Sequence, residues 1–502
     1  MNRYATYLLT PLLFLMLSRA FPQTRIQIIN ADLMEFNDFG DRKIRTLTGN
    51  VKLEQNGVYL ACERADFDAD ANTVDAFGNV HIQQDTVDIY ADKLFYNGND
   101  RKAKLSGNVR LTDRKMTLRT AQLDYDMNTR TGYYNTGGEL KSDTSVLTSK
   151  IGYYYAATRD VYFKKEVQLT NPSYKLTADT LRFNIGEKRA YFLGPTYIRS
   201  DSNHIYCERG YYDTEKEITQ FSKHATLLNE EQQLRADSIT YDKLTGMGYA
   251  TGNVYWTDTI RRNSIKSSKA IYNEKSSSVL ATGDPIFVDA ADKDTMFLKA
   301  DTLYSATIDS GGRRWFHAYH HVVIYKSSVR ARCDSVYYSD ADSTFRFYEN
   351  PILWVDANQL TADTISMTSS NKQLKHFTMV KNALIVNMVD TLRFNQIQGK
   401  KMTGFFKDGD LHRLYVEGNG ESIYYGEDDS KKLIGVNKAV CSNMMISIKE
   451  DKVERITFLD KPTAVLYPPE DVPEEALKLK LFKWLISDKP ERGAFPQRAV
   501  YE

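Results

Sequence analysis

Side chains able to hold a metal ion or close a disulfide are present in this chain, but their spacing works against both. Of the eight His, three crowd one stretch, at His317, His320 and His321. His320 and His321 lead into Val322, Val323 and Tyr325, a strand-like run, and adjacent strand residues point to opposite faces. Two such rings do not converge on one ion, so surface or edge positions are expected and no metal site. Of the four Cys, Cys62, Cys207 and Cys333 recur at a position that Ala fills elsewhere. Cys62 and Cys207 stand five sequence units apart, about 48 Å along a stack of strands, whereas a disulfide needs Cα atoms within about 7 Å. They read as small core residues, and Cys441 has no evident mate. Asp recurs at Asp92, Asp179, Asp237, Asp301 and Asp363, and a ladder of carboxylates is one way to bind calcium. The Gly-Gly-x-Gly-x-Asp nonapeptide is absent, and an Asp that accepts backbone hydrogen bonds at a corner explains the recurrence more simply. The chain shows no nucleophile elbow, phosphate loop or acid–base pair. Neither an enzyme nor a cofactor is expected.

What positions these residues is a repeat. Gly-Asn-Val occurs at Gly49, Gly78, Gly107 and Gly252, spaced 29, 29 and 145 residues, the last being five times 29. Related tripeptides start at Lys165, Gly194 and Lys223, and the unit near Thr136 to Gly138 has drifted. A second motif, a small residue with an aromatic five positions later, starts at Cys62, Ala91, Thr120, Ser149, Ala178, Cys207 and Ala236. It loosens afterwards to Ser267, Ala300, Cys333 and Ala362.

Each unit reads as two bent strands. Val87, Ile89 and Ala91 alternate, then the phase slips to Leu94 and Tyr96, the sign of a bulge or corner. The other half, Leu105, Gly107, Val109 and Leu111, stays in phase, with a Gly in the apolar row where backbones approach or bend. Polar turns such as Asn97-Gly98-Asn99-Asp100 and Asp126-Met127-Asn128-Thr129 separate the halves. The fold class that follows is all-β, an elongated β-jelly-roll of stacked bent antiparallel hairpins. It forms a V-shaped two-sheet trough whose inner face no single unit buries alone.

The bulk numbers agree. In 502 residues, 12% are aromatic, 33 of them Tyr, and only 12 Pro interrupt the chain. The 66 basic and 65 acidic residues leave a net charge of +1, which gives no reason to invoke nucleic acid. Residues 1–20 read as a secretory signal: Arg3, an apolar run from Tyr4 to Leu17, then Ser18-Arg19-Ala20, with the mature chain starting near Phe21. The regular array is expected over 21–260 and a diverged continuation over 261–388. Further diverged β units, including a hairpin around Asp408-Gly409, are expected over 389–468. A helical tail or cap is expected over 469–502. Pro473 to Ile486 has a helical pattern, with Leu477, Leu481, Trp484 and Leu485 on one face.

The segments Leu47-Thr48-Gly49-Asn50-Val51-Lys52-Leu53 and Ala91-Asp92-Lys93-Leu94-Phe95-Tyr96, the latter followed by Leu105-Ser106-Gly107-Asn108-Val109, resemble the OstA/LptA family. The likeness runs from about Gln27 to Asn387. It implies a periplasmic lipopolysaccharide-binding and transport protein whose trough shields acyl chains between the inner and outer membrane. The groove would be lined by Val51, Leu53, Val80, Ile82, Ala91, Leu94, Val109, Leu111, Ala178, Leu181, Ala236, Ile239, Val254 and Trp256. The implied partners are lipopolysaccharide and other lipopolysaccharide-transport proteins of both membranes, and exposed terminal strands invite head-to-tail self-association. The competing reading is a structural or adhesive envelope protein with a packed dry core. Small residues alternating with Val and Leu on the inner face favour the groove.

Overall fold

In the computed structural model, residues 25–496 are described, except 41, 115, 142–144, 202, 292, 310–311, 371–372, 429, 431, 450–451 and 475–476. The signal sequence of residues 1–20 lies outside the described residues. The chain divides into two compact units, Met1–Lys188 and Arg189–Glu502. All described strand pairings are antiparallel, so the fold is all-β as the sequence implies.

Unit 1 runs from β1 (Gln27–Asn30) to β14 (Tyr174–Asn184). Its regular part is a meander of long strands: β3 (Lys43–Gln55), β4 (Val58–Asp68), β5 (Thr73–Gln84), β6 (Val87–Asn97), β7 (Lys102–Asp113) and β8 (Met116–Asp126). Each strand crosses a corner at mid-length that divides it into two arms. In β7 the corner is made by Gly107 (φ 76°) and Asn108 (φ 47°), two consecutive left-handed residues. The ladder to β6 pairs Tyr90 with Arg110 and Lys93 with Ser106, so β7 holds the extra residue. The sequence suggested a bulge where the phase slips, in the Ala-Asp strand. The structure instead puts the irregular backbone in the strand that stays in phase, because two left-handed residues turn the chain and restore its alternation.

Nor does the corner Asp accept backbone hydrogen bonds, as its recurrence suggested. Asp92 Oδ2 accepts from the Asn108 side-chain amide at 2.8 Å, and Asp32–Asn50 and Asp237–Asn253 repeat the contact. A left-handed Asn aims its amide across the corner, and the carboxylate meets that donor first. The crowded His have the same use: His320 and His321, at φ 59° and 52°, form a corner and face separate carboxylates, Asp334 and Asp301.

The turns at the arm tips close as Asx turns. Asn97 and Asp126 accept backbone N–H groups two residues on, at 2.9 and 2.8 Å. Where the sequence unit drifts near Thr136, the long strand breaks at its corner into β9 (Thr131–Tyr134) and β10 (Gly138–Lys141).

Unit 2 opens with six continuous strands, β15 (Arg189–Arg199) to β20 (Asn263–Asn273). The stretch with loosened spacing is then broken at every corner. β20 pairs with both β21 (Ser278–Thr282) and β22 (Ile286–Asp289), and two ladders of short strands proceed until both meet β33 (Gln373–Met388). The corner persists beyond the sequence repeat, at Lys381–Asn382, Gly418–Asn419 and Asp460–Lys461. Asp408 (φ 56°) and Gly409 (φ 99°) make the tight turn between Lys407 and Asp410.

At the C-terminus the short helical structure is 3-10, at Ile486–Asp488 and Arg492–Ala494. Of the expected helix face, Leu477, Leu481 and Trp484 pack in succession along the outer side of the sheet, as a strap over Leu384, Val386, Ile423, Tyr425 and Val436. Gln359 and Gln396 hold it with both ends of their amides. Gln396 Nε2 donates to Leu477 O at 2.8 Å and Gln396 Oε1 accepts from Leu479 N at 2.8 Å. Gln359 bonds Lys483 O and Leu485 N in the same way. Main-chain groups engaged by these glutamines are not free to form helix. Phe495 ends the strap against Val288 and Phe297.

Corner geometry sets stability. A Cβ at Gly107 collides with the Asp92 carboxylate, whereas one at Gly57 (φ 75°) meets open space. Gly57→Ala is expected to cost about 1 kcal/mol for the left-handed backbone, and Gly107→Ala about 3 kcal/mol, in urea unfolding followed by circular dichroism.

Candidate binding groove

The inner faces of the two arms build the groove one residue per strand. In unit 1 the row just inside the mouth on one arm is Leu53, Leu60, Ile82, Ile89, Leu111 and Leu118, each in register with the next. Deeper, on the other arm, lie Leu47, Ala65, Ala76, Leu94, Leu105 and Leu123. All are buried. The alternation of the strand dictates this: every second residue faces inward, and the corner keeps both arms in phase.

Of the residues the sequence nominated, Val51, Leu53, Val80, Ile82, Ala91 and Leu94 are sealed inside unit 1. Val109, Leu111 and Leu181 join them, with Ala178 half-buried. In unit 2, Ala236, Ile239 and Val254 are buried and Trp256 is half-buried at the mouth. The cysteines fill small inner positions, and burial pushes the Cys62 thiol up to about 11 and Cys207 up to about 12.

Sequence reasoning missed the residues that decide whether the mouth is shut. In unit 1 polar side chains bridge the arm tips. Tyr96 Oη donates to Gln55 Oε1 at 2.6 Å, and Gln55 Nε2 donates to Gly98 O at 2.9 Å. Gln84 Nε2 donates to Met127 O at 3.1 Å, and Tyr154 Oη donates to Asp113 Oδ2 at 2.8 Å. The signal was available: Gln55, Gln84 and Asp113 are 29 apart, as are Tyr96, Tyr125 and Tyr154. Burial pushes the phenols of Tyr96, Tyr125 and Tyr154 above their ordinary range, aided at Tyr154 by the hydrogen bond to Asp113.

In unit 2 the equivalent mouth is open. The equivalent positions are Ser200, Asn229 and Asp258, whose side chains turn back onto their own turns. Asn229 Oδ1 accepts from Glu231 N and Asp258 Oδ1 from Arg261 N. At two of the three rungs a short side chain, Ser200 or Asn229, captures nearby main-chain groups where the longer Gln55 or Gln84 reaches across, and at the third Asp258 caps its own turn where Asp113 meets Tyr154. Tyr241 bonds Glu274 on its own arm, which raises its phenol to about 12. The mouth row Ile205, Leu227, Leu234, Trp256 and Ile265 is in register but only half-buried, and Tyr272 opposite is 41% exposed. The result is an apolar slot rimmed by aromatics and open along its side.

A family model for OstA-like protein matches residues 23–179 and 196–284, the part of the chain that carries the regular corners and this slot. The chain belongs to the OstA-like protein family. OstA-like proteins are transport and bridging proteins of the cell envelope, not enzymes. No curated protein matches the chain.

Two outcomes follow from the groove geometry. A Cys placed at Leu234 is expected to react with a maleimide at least about ten-fold faster than one at fully buried Ile89, and equal rates contradict the open mouth. The latch phenols are raised above the unfolded value of about 10, so their stabilisation is present below pH 10 and is lost as pH rises beyond it. Alkaline titration should show a set of tyrosines that ionise only as unit 1 unfolds.

Proposed function

We propose that this OstA-like protein is a periplasmic carrier of lipopolysaccharide, exported by a cleaved signal and holding acyl chains in its groove between the two membranes. The observation that carries the reading is the mouth of unit 2, where an in-register apolar row stands half-exposed in water. Each acyl CH₂ removed from water contributes about 0.8 kcal/mol, so such a slot suits an alkyl chain, and aromatic rims suit the boundary with a polar headgroup. Similar shallow sites repeated on every strand allow movement along the groove without chemistry. The structural reading, a packed dry core, accounts for the sealed interior of unit 1 but leaves the half-exposed row of unit 2 without a purpose.

Partners of the same architecture fit the first strands. β1 and β2 (Leu33–Asp38) pair only with β3 among the described residues, and Ile29, Leu33, Met34, Phe36 and Phe39 are exposed there. An unpaired edge with apolar side chains accepts a strand from a lipopolysaccharide-transport protein of either membrane or from a second copy.

A photo-reactive residue at Leu234 in the purified full-length chain should crosslink to lipopolysaccharide, while one at exposed Lys52 should not. Equal labelling at both positions, or none at Leu234, contradicts the proposal. In cells, depletion should retain lipopolysaccharide at the inner membrane.

A further inference from the structure

We infer that the polar row at the mouth of unit 1 is a lateral gate, which the tyrosine–Gln/Asp pairs hold shut until acyl chains pass through it from the side. The inference rests on the reading of the protein as an acyl-chain carrier and adds how the closed groove of unit 1 is loaded.

Three observations carry it. First, side chains rather than strand pairing reach across the tips among the described residues: to the bonds of Gln55, Gln84 and Asp113 described above, Arg101 adds a bond to Asn56 O and Arg130 an ion pair with Asp85. Side-chain bonds of this kind open individually, whereas a strand ladder must be stripped bond by bond. Second, the interior behind the first rung has no room for cargo. The cavity behind the first rung, lined by Leu53, Gln55, Val58, Leu60, Ile82 and Tyr96, holds about 10 Å³. That is at most the space of one water, so an alkyl chain requires the arms to part. Third, the middle rung is incomplete. Gln84 Oε1 and Tyr125 Oη are buried without a hydrogen-bond partner, although the equivalent atoms of Gln55 and Tyr96 bond each other. A buried, unpaired polar pair is where separation costs least, because opening lets water satisfy both groups. Unit 2 supplies the comparison within one chain: with Ser200 and Asn229 in place of Gln55 and Gln84, the equivalent mouth row of Ile205, Leu227 and Leu234 is half-exposed.

The test measures loading of fluorescent lipid A into the full-length chain. Tyr96→Phe/Tyr154→Phe removes two latch bonds and keeps both rings, and Gln84→Asn shortens the middle rung. Both variants are expected to load about ten-fold faster than the wild type, with greater photo-crosslinking at Leu111. Tyr134→Phe is the control for a merely structural effect, because Tyr134 is equally buried and bonds Ser149 at 2.8 Å away from the mouth. It should load at the wild-type rate. Wild-type loading rates in both latch variants, or equal acceleration in Tyr134→Phe, overturn the gate while leaving the carrier reading intact. No loading in any form, the wild type included, overturns both.

Discussion

Two consecutive left-handed residues at the middle of a strand are the feature on which the rest of this structure depends. A strand that merely bends loses its alternation and turns its apolar residues outward on one side of the bend. The pair Gly107–Asn108 and its equivalents turn the chain while restoring the phase, so both arms present apolar side chains to the same interior. Gly takes the first position readily, and Asn is among the residues that tolerate the second. At later corners, such as Lys223–His224 and Lys381–Asn382, neither residue is Gly, and the surrounding ladder holds a conformation the chain would not choose alone.

Once the arms face each other, the character of the groove is set by what stands at their tips. Gln55, Gln84 and Asp113 span the mouth of unit 1, whereas Asn229 and Asp258 spend their polar atoms on their own turns. Between Gln84 and Asn229 one methylene separates bridging the mouth from capping a turn, and between Asp113 and Asp258 the difference is the facing Tyr154. The scaffold therefore provides a sealed interior and an open slot on the same antiparallel ladder of bent strands. Transport along such a surface needs many similar weak sites, and a repeat supplies them.

The period, the alternation and the inward row were all legible, because each depends on residue type at fixed spacing. Val80, Ile82, Val109 and Leu111 lie inside for that reason alone. The strand that carries the extra residue was not legible, since the in-phase strand hides its irregularity in its dihedral angles. The state of the mouth escaped for a different reason. Gln55, Gln84 and Asp113 read as turn polarity until the opposite arm brings Tyr96 and Tyr154 within hydrogen-bond reach. The short helical turns expected of the tail lie at Ile486–Asp488 and Arg492–Ala494, whereas Leu477, Leu481 and Trp484, which fit a helical face equally well, form the strap. Its fate was decided by Gln359 and Gln396, about 80 to 125 residues earlier in the chain, which take the main-chain groups a helix needs.

The central claim is that the groove of unit 2 holds acyl chains. A structure of the full-length chain determined with bound lipopolysaccharide tests it most directly. The account predicts alkyl density between the row of Leu227, Leu234, Trp256 and Ile265 and the facing Tyr241 and Tyr272, with the headgroup at the aromatic rim. Lipid density on the outer faces of the sheet, with the slot between the arms empty, would contradict it.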